Sequence, residues 1–285
     1  MRYIVTGGNG FVGTNLIKEL LVKGHEVISI DNLSIGKKDN EVSGVKYIYE
    51  DVNNINNIEG LDNIDGIFHL AGLSRIQPSF DNPTETFRAN TDGTQAVCEW
   101  SKNNGKPKIV YAGSSSKHHD PYKSPYALFK YLGEEICKMY RKSFNMEIEV
   151  CRFYNVYGPG EIVDGDWAAV IGIWRRQIRD KEPITIVGDG EQRRDFTHVY
   201  DIVDGLIKIM ESNHIASDAW ELGTGLNYSI NEVFDIFKIR FPNIESIGLP
   251  DQSGNYRKTL RENNDAITKL NWWPSDKLRE YILNL

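Results

Sequence analysis

The sequence predicts an α/β protein built on a doubly wound parallel sheet, followed by a smaller mixed α/β C-terminal domain. Three observations carry that expectation. Short apolar runs alternate with segments of helical period up to about residue 155. A glycine-rich turn joins the first run to the first such segment, and the pattern breaks after Gly158-Pro159.

The runs are Tyr3–Thr6, Val27–Ile30, Val45–Tyr49, Gly66–Leu70, Lys108–Ala112 and Ile148–Phe153. They lack a polar–apolar alternation, as strands covered on both faces do. Between the first two, Phe11, Val12, Leu16, Ile17, Leu20 and Leu21 recur at the spacing of one helix face. Strands and helices in turn imply parallel strands joined by crossovers. Residues 1–159 are therefore expected to form one domain and 160–285 mainly a second. Glycine and aspartate cluster over 158–166, a helix is expected over Ala168–Lys181, and Val187-Gly188-Asp189-Gly190 reads as a turn. Segments near 195–223 can return to the main sheet.

A chain of 285 residues has room for one large or two modest domains. A net charge of −7 argues against non-specific nucleic-acid binding, which needs a basic surface, yet leaves room for a local basic pocket. Cys98, Cys137 and Cys151 lie in apolar stretches and read as small buried residues in a reducing compartment, not as a disulfide or metal site. No run of about 18 apolar residues is present to span a membrane. The N-terminus enters a strand directly, so the expectation is a cytoplasmic protein without a signal peptide.

Tyr3-Ile4-Val5-Thr6 leads into Gly7-Gly8-Asn9-Gly10-Phe11-Val12-Gly13 and then a helix. The spacing Gly7, Gly10, Gly13 lets the backbone turn tightly, approach a pyrophosphate and pack helix on strand, while the helix N-terminus offers N–H groups to the anion. This is a Rossmann-type dinucleotide loop. Asp31 ends the second strand, where a carboxylate accepts ribose hydroxyls and repels a 2′-phosphate, which favours NAD over NADP. Asp51-Val52 and Leu70-Ala71-Gly72 follow the third and fourth strands, at the sheet edge where such ligands bind.

Tyr126 and Lys130 stand four apart at the head of a helical pattern, so both can face one pocket. A nearby ammonium favours the phenolate and makes Tyr126 a usable base near neutrality. The run Ser114-Ser115-Ser116 precedes them.

With these features the chain resembles the extended short-chain dehydrogenase/reductase family, in its NAD-dependent nucleotide-sugar epimerase/dehydratase branch, over essentially its whole length. The resemblance also rests on Asp31-Asn32-Leu33-Ser34, His69-Leu70-Ala71, Asn90-x-x-Gly93-Thr94, Arg152–Pro159, Gly188–Phe196, Gly223-Thr224-Gly225 and Leu270–Pro274. It implies that Ser114, Tyr126 and Lys130 are catalytic, with Ser115 beside them on the substrate. It implies NAD contacts from Phe11, Val12, Asn32, Leu70, Ala71, Gly72 and Tyr154, and substrate contacts from Asn155 and Arg194. A guanidinium at Arg194 suits a diphosphate, whereas Arg193 reads as solvated.

Related 4,6-dehydratases carry carboxylates beside the serine position, and Ser114-Ser115-Ser116-Lys117 has none. Elimination thus lacks its usual acid and base, which favours 4-epimerisation of a UDP-hexose or UDP-N-acetylhexosamine. Trp167–Ile171, including Ala169 and Val170, resembles the loop of epimerases that accept N-acetylhexosamines. Thr259 aligns with a gate that a bulky tyrosine closes elsewhere. Two departures stand out. The segment between the serines and Tyr126 is about a dozen residues shorter than usual, with His118-His119 in place of Tyr-Gly, a pair read as solvated surface first and as substrate contacts second. Gln252 also replaces a diphosphate arginine, for which Arg257 is the expected substitute. The competing readings are a dehydratase or reductase of the same family and a silent NAD-sensing protein. A homodimer pairing through roughly 84–103 and the Tyr126 helix is the implied assembly.

Overall fold

The computed structural model describes all 285 residues. The strands are β1 (Arg2–Thr6), β2 (Glu26–Ile30), β3 (Lys46–Ile48), β4 (Gly66–His69), β5 (Lys108–Ser114), β6 (Ile148–Phe153), β7 (Asn155–Tyr157), β8 (Ile184–Val187), β9 (Arg193–Arg194), β10 (Phe196–His198), β11 (Trp220–Leu222), β12 (Tyr228–Ser229) and β13 (Ser246–Leu249). The helices are α1 (Phe11–Val22), α2 (Ile76–Asp81), α3 (Pro83–Phe87), α4 (Gly93–Asn103), α5 (Pro125–Phe144), α6 (Val170–Arg179), α7 (Val199–Glu211), α8 (Ile230–Arg240), α9 (Asp265–Leu270) and α10 (Leu278–Leu283).

Seven strands form one sheet in the order β11-β6-β5-β4-β1-β2-β3, every neighbouring pair parallel. Chain order reverses between β1 and β4, and ligands of open α/β sheets bind at such a point, outside the carboxyl ends of the strands. Alternate residues of each strand supply opposite layers. Val5, Phe68 and Val110 pack with Leu16 and Leu20 of α1 and Leu206 of α7. Ile4, Ile67 and Tyr111 pack with Val97 of α4 and Cys137 of α5. All three cysteines are buried free thiols.

The second half adds three two-stranded sheets, β7–β10, β9–β12 and β8–β13. Their core is Tyr157, Trp174, Phe196, Phe237 and Leu278. β11 and α7 nevertheless belong to the main sheet and its cover, so the chain crosses back after leaving it. α6 is shorter than the expected Ala168–Lys181. Ala169 stays extended, and Lys181 takes a left-handed φ of 59° past its end. No helix is long and apolar enough to cross a membrane.

Arg152 of β6 is fully buried and ties the layers together. Its guanidinium meets Glu134 of α5 at 2.9 Å, Asp218 at 2.7 Å and Glu221 of β11 at 3.5 Å. His118, expected in solvent, instead closes this cluster: its ring nitrogens reach Glu221 at 2.5 Å and Glu262 at 3.1 Å. The shortened loop has no room to lift the histidine away from β11. The Glu221 hydrogen bond raises the His118 pKa.

Two outcomes follow from the cluster. Arg152→Met leaves Glu134 buried without its cation and Glu221 with His118 alone, and should cost about 3–5 kcal/mol in urea denaturation; a loss within error would contradict the network. The His118 contribution is complete below its ordinary value of 6.5 and fades as pH rises through the raised folded value. Wild type should therefore lose stability across that window and His118→Gln should not; equal slopes would refute the ion pair.

Candidate active site

A cavity of about 660 Å³ lies over the carboxyl ends of the central strands, between the sheet and the elements that follow β7. That volume is in the range of small-molecule sites.

Its floor at one end is the glycine loop. Gly7 adopts φ 72°, and its carbonyl accepts from Gly10 N at 3.1 Å. A Cβ on Gly13 would lie 2.2 Å from that carbonyl oxygen, so only glycine lets α1 come this close to β1. Gly10, Phe11 and Val12 open α1 onto the cavity, and no side chain caps this helix end, leaving its N–H groups to an anion. Asp31 is buried beside it. Its carboxylate accepts from Asn9 N at 3.0 Å and Leu33 N at 2.8 Å, and burial raises its pKa. Each oxygen keeps a lone pair for a ribose hydroxyl. Asn32, Asp51, Val52, Leu70, Ala71 and Gly72 also line the wall.

The fourth-strand motif has a supporting role. His69 bonds Thr6 at 2.8 Å and Thr94 at 3.2 Å, and burial pushes its pKa down to about 3. Asn90 exchanges two hydrogen bonds with the backbone of Leu73. Together they hold the turn after β4 against α4. This cradle fits NAD: an uncapped helix end for the pyrophosphate, a carboxylate for the ribose, and no cation beside Asp31 for a 2′-phosphate.

Deeper in the cavity, Ser124 caps α5 by accepting from Ala127 N at 3.1 Å, and Ser79 of α2 accepts from Tyr126 N at 3.1 Å. These bonds set the first turn of α5. Tyr126 then donates to Ser114 Oγ at 3.2 Å, and Ser116 donates to the same oxygen at 2.9 Å. Lys130 is buried one turn on, with Nζ 2.9 Å from the Ala112 carbonyl. Burial lowers its pKa to about 8.

One electrostatic expectation is corrected. In the chain alone the Tyr126 pKa is raised by burial; the contributions that oppose the rise come from Ser114 and Arg75. Lys130 directs its ammonium at Ala112 and does not offset the desolvation.

At the far end, Asn155 donates to Asp195 O at 3.2 Å and Thr259 Oγ1 at 3.3 Å. Arg194 donates to Arg193 O at 2.9 Å and Asn255 Oδ1 at 2.5 Å, with no carboxylate within 4 Å. Burial lowers its pKa to about 10. Thr259 stands there, and Ser115, Ala169 and Val170 line the same cavity. Tyr154 gives its ring to the wall while its hydroxyl donates to Glu221 at 3.0 Å. Arg193 instead holds Asn227 and Glu232.

Arg257 does not join them. Its exposed guanidinium pairs with Asp189 at 2.8 Å outside the cavity, because that carboxylate is the nearer anion. The cavity also contains residues that no sequence spacing had singled out. Arg75 donates Nε to Trp167 O at 3.0 Å and has no ion-pair partner. Glu161 is buried between Arg175 and Tyr281, its second oxygen unpartnered. His119, also expected in solvent, stacks on Tyr256 at 3.9 Å, because the short loop packs against residues 252–256.

Gly13→Ala should weaken NAD binding by about tenfold or more, since the backbone must yield to the new methyl. Equilibrium dialysis against NAD measures it; unchanged affinity would refute the cradle.

Residues 3–223 match the model of the NAD dependent epimerase/dehydratase family. A putative UDP-glucose 4-epimerase of Methanocaldococcus jannaschii is 31% identical over 98% of this chain and 95% of its own length. UDP-glucuronic acid decarboxylase 1 of Arabidopsis thaliana is 29% identical over 98% of this chain and 68% of its own. Among solved structures, the UDP-glucose 4-epimerase of Thermotoga maritima with UDP-glucose superposes with a TM-score of 0.92 at 27% identity, covering 99% of this chain and 96% of that one.

Proposed function

The chain belongs to the NAD dependent epimerase/dehydratase family, and from that premise we propose that it inverts C4 of a UDP-hexose or UDP-N-acetylhexosamine. The observation that carries the reading is the Tyr126–Ser114 contact of 3.2 Å, with Lys130 buried behind it, at the inner end of the glycine cradle. Family relatives that act on UDP-sugars support it.

Held by the Gly7–Gly13 loop and Asp31, NAD would supply a hydride acceptor for C4 and a cationic ring that favours the Tyr126 phenolate. The chain's own residues do the rest. Tyr126 takes the proton of the 4-hydroxyl and returns it after the sugar has presented its other face. Ser114 holds the same oxygen through its hydroxyl. Lys130, anchored on Ala112, holds the ribose side of the site and keeps α5 in register. Arg194 is a half-buried guanidinium without an ion-pair partner, suited to the diphosphate, and Asn155 faces the sugar beside it. The small Thr259, with Ala169 and Val170 in the same cavity, leaves space for an acetamido group, so N-acetylhexosamines are the favoured substrates.

Glu161 favours one second reading. It brings a carboxylate into a cavity whose serine run has none, so elimination or decarboxylation on the same scaffold is the alternative. A cytoplasmic homodimer belongs to the proposal as well, pairing through the α3–α4 segment and α5, where Phe87 of α3 and Met139 and Phe144 of α5 stand exposed.

A panel of nucleotide sugars, incubated without added cofactor and resolved by product analysis, tests the reading. Interconversion of the two N-acetyl UDP-hexosamines is expected. Exchange of the plain hexoses alone would overturn the pocket assignment, and an absorbing keto product would favour the second reading. Tyr126→Phe should lower turnover by at least about a hundredfold with NAD content unchanged; full activity would contradict the mechanism.

A further inference from the structure

Residues 117–125, between the serine run and Tyr126, contribute nothing to the cavity lining, whereas Gln252, Asn255 and Tyr256 do. Residues 252–256 fold over the sugar end of the cavity. Gln77 of α2 donates to Ser253 O at 2.8 Å, and Asn255 accepts from Arg194 at 2.5 Å. Gly254, at φ 76°, lies so close that a Cβ would come within 2.8 Å of Ile76. The turn is thus pinned to α2 on one side and to Arg194 on the other.

That placement drives Tyr256 into the cavity wall. It is 94% buried, and its ring is stacked on His119 at 3.9 Å with an interplanar angle of 14°. The nearest hydroxyls are those of Ser116 and Ser124, but neither meets it in hydrogen-bond geometry, and an unpaired buried hydroxyl is costly. Burial pushes its pKa up to about 12, so it is a neutral donor. It follows Asn255, which holds Arg194, and Gly254 two residues before it packs on Ser124, the cap of the Tyr126 helix. Tyr256 thus lines the cavity between the groups proposed here for the diphosphate and the reacting hydroxyl.

We propose that Tyr256 is a specificity-determining residue whose orphaned hydroxyl donates to an oxygen of the bound hexose, with His119 as the flat buttress that fixes its ring. The proposal rests on the nucleotide-sugar reading above. The pair takes over the enclosing role of the missing loop: the stack fixes the ring with few rotamers to lose, and the hexose satisfies the hydroxyl. His119 acts only through Tyr256 and is a positioning residue.

Tyr256→Phe keeps the stack and removes one donor. KM for the nucleotide sugar should rise about 3- to 10-fold, the worth of a single neutral hydrogen bond, with kcat changed less than twofold. Calorimetric titration with UDP alone should show no change, since UDP lacks the sugar. An unchanged KM, or an equal loss for UDP, would overturn the proposal. His119→Ala should raise KM similarly and His119→Phe should restore it; failure of the phenylalanine to rescue would show that the imidazole itself touches substrate. Titration with the non-turning sugar nucleotide on the Tyr126→Phe background reads binding without turnover, so a wrong reaction assignment and a wrong Tyr256 assignment give different results.

Discussion

The hydrogen bond from Lys130 Nζ to the Ala112 carbonyl, 2.9 Å long and buried, fixes the rest of the site. It sets the register of α5 on β5, and that register puts Tyr126 on Ser114. The same strand leads into the serine run, and the same helix carries Glu134 to Arg152 one layer below. A slip of one residue would turn Tyr126 away from the cleft by a third of a helical turn or so. The Ser124 cap and the Ser79 bond reinforce the placement at the one point where the short loop enters the helix.

The features legible in the sequence are those written in local spacing. The six strand runs, the glycine triplet, Asp31 and the Tyr126–Lys130 pair all lie within one or two elements, so periodicity and turn chemistry suffice to find them. Those that were not legible depend on contacts between distant segments. Arg257 had the right charge in the right stretch, but a side chain of that length goes to its nearest anion, Asp189. His118 and His119 looked like a loop pair until β11 and residues 252–256 came to meet them. Arg75, Glu161 and Tyr256 reach the cavity only because the segments after β4, after β7 and after β13 converge there. No spacing within the chain announces that convergence.

The tyrosine shows how far the isolated chain is from the working enzyme. Burial holds Tyr126 protonated, and the neighbours that oppose the rise are Ser114 and Arg75 rather than the lysine expected to do so. In the proposed mechanism the positive charge that would make it a base comes with NAD, which would couple proton removal to occupancy of the cradle. The proposed inversion requires NAD to stay bound, so that hydride would leave C4 and return to C4 within one site. A nucleotide sugar carrying deuterium at C4 tests that claim directly. Retention of the label at C4 of the inverted product, in ordinary water and without added cofactor, is the result the account requires. Loss of the label to solvent or to a free nicotinamide would contradict it.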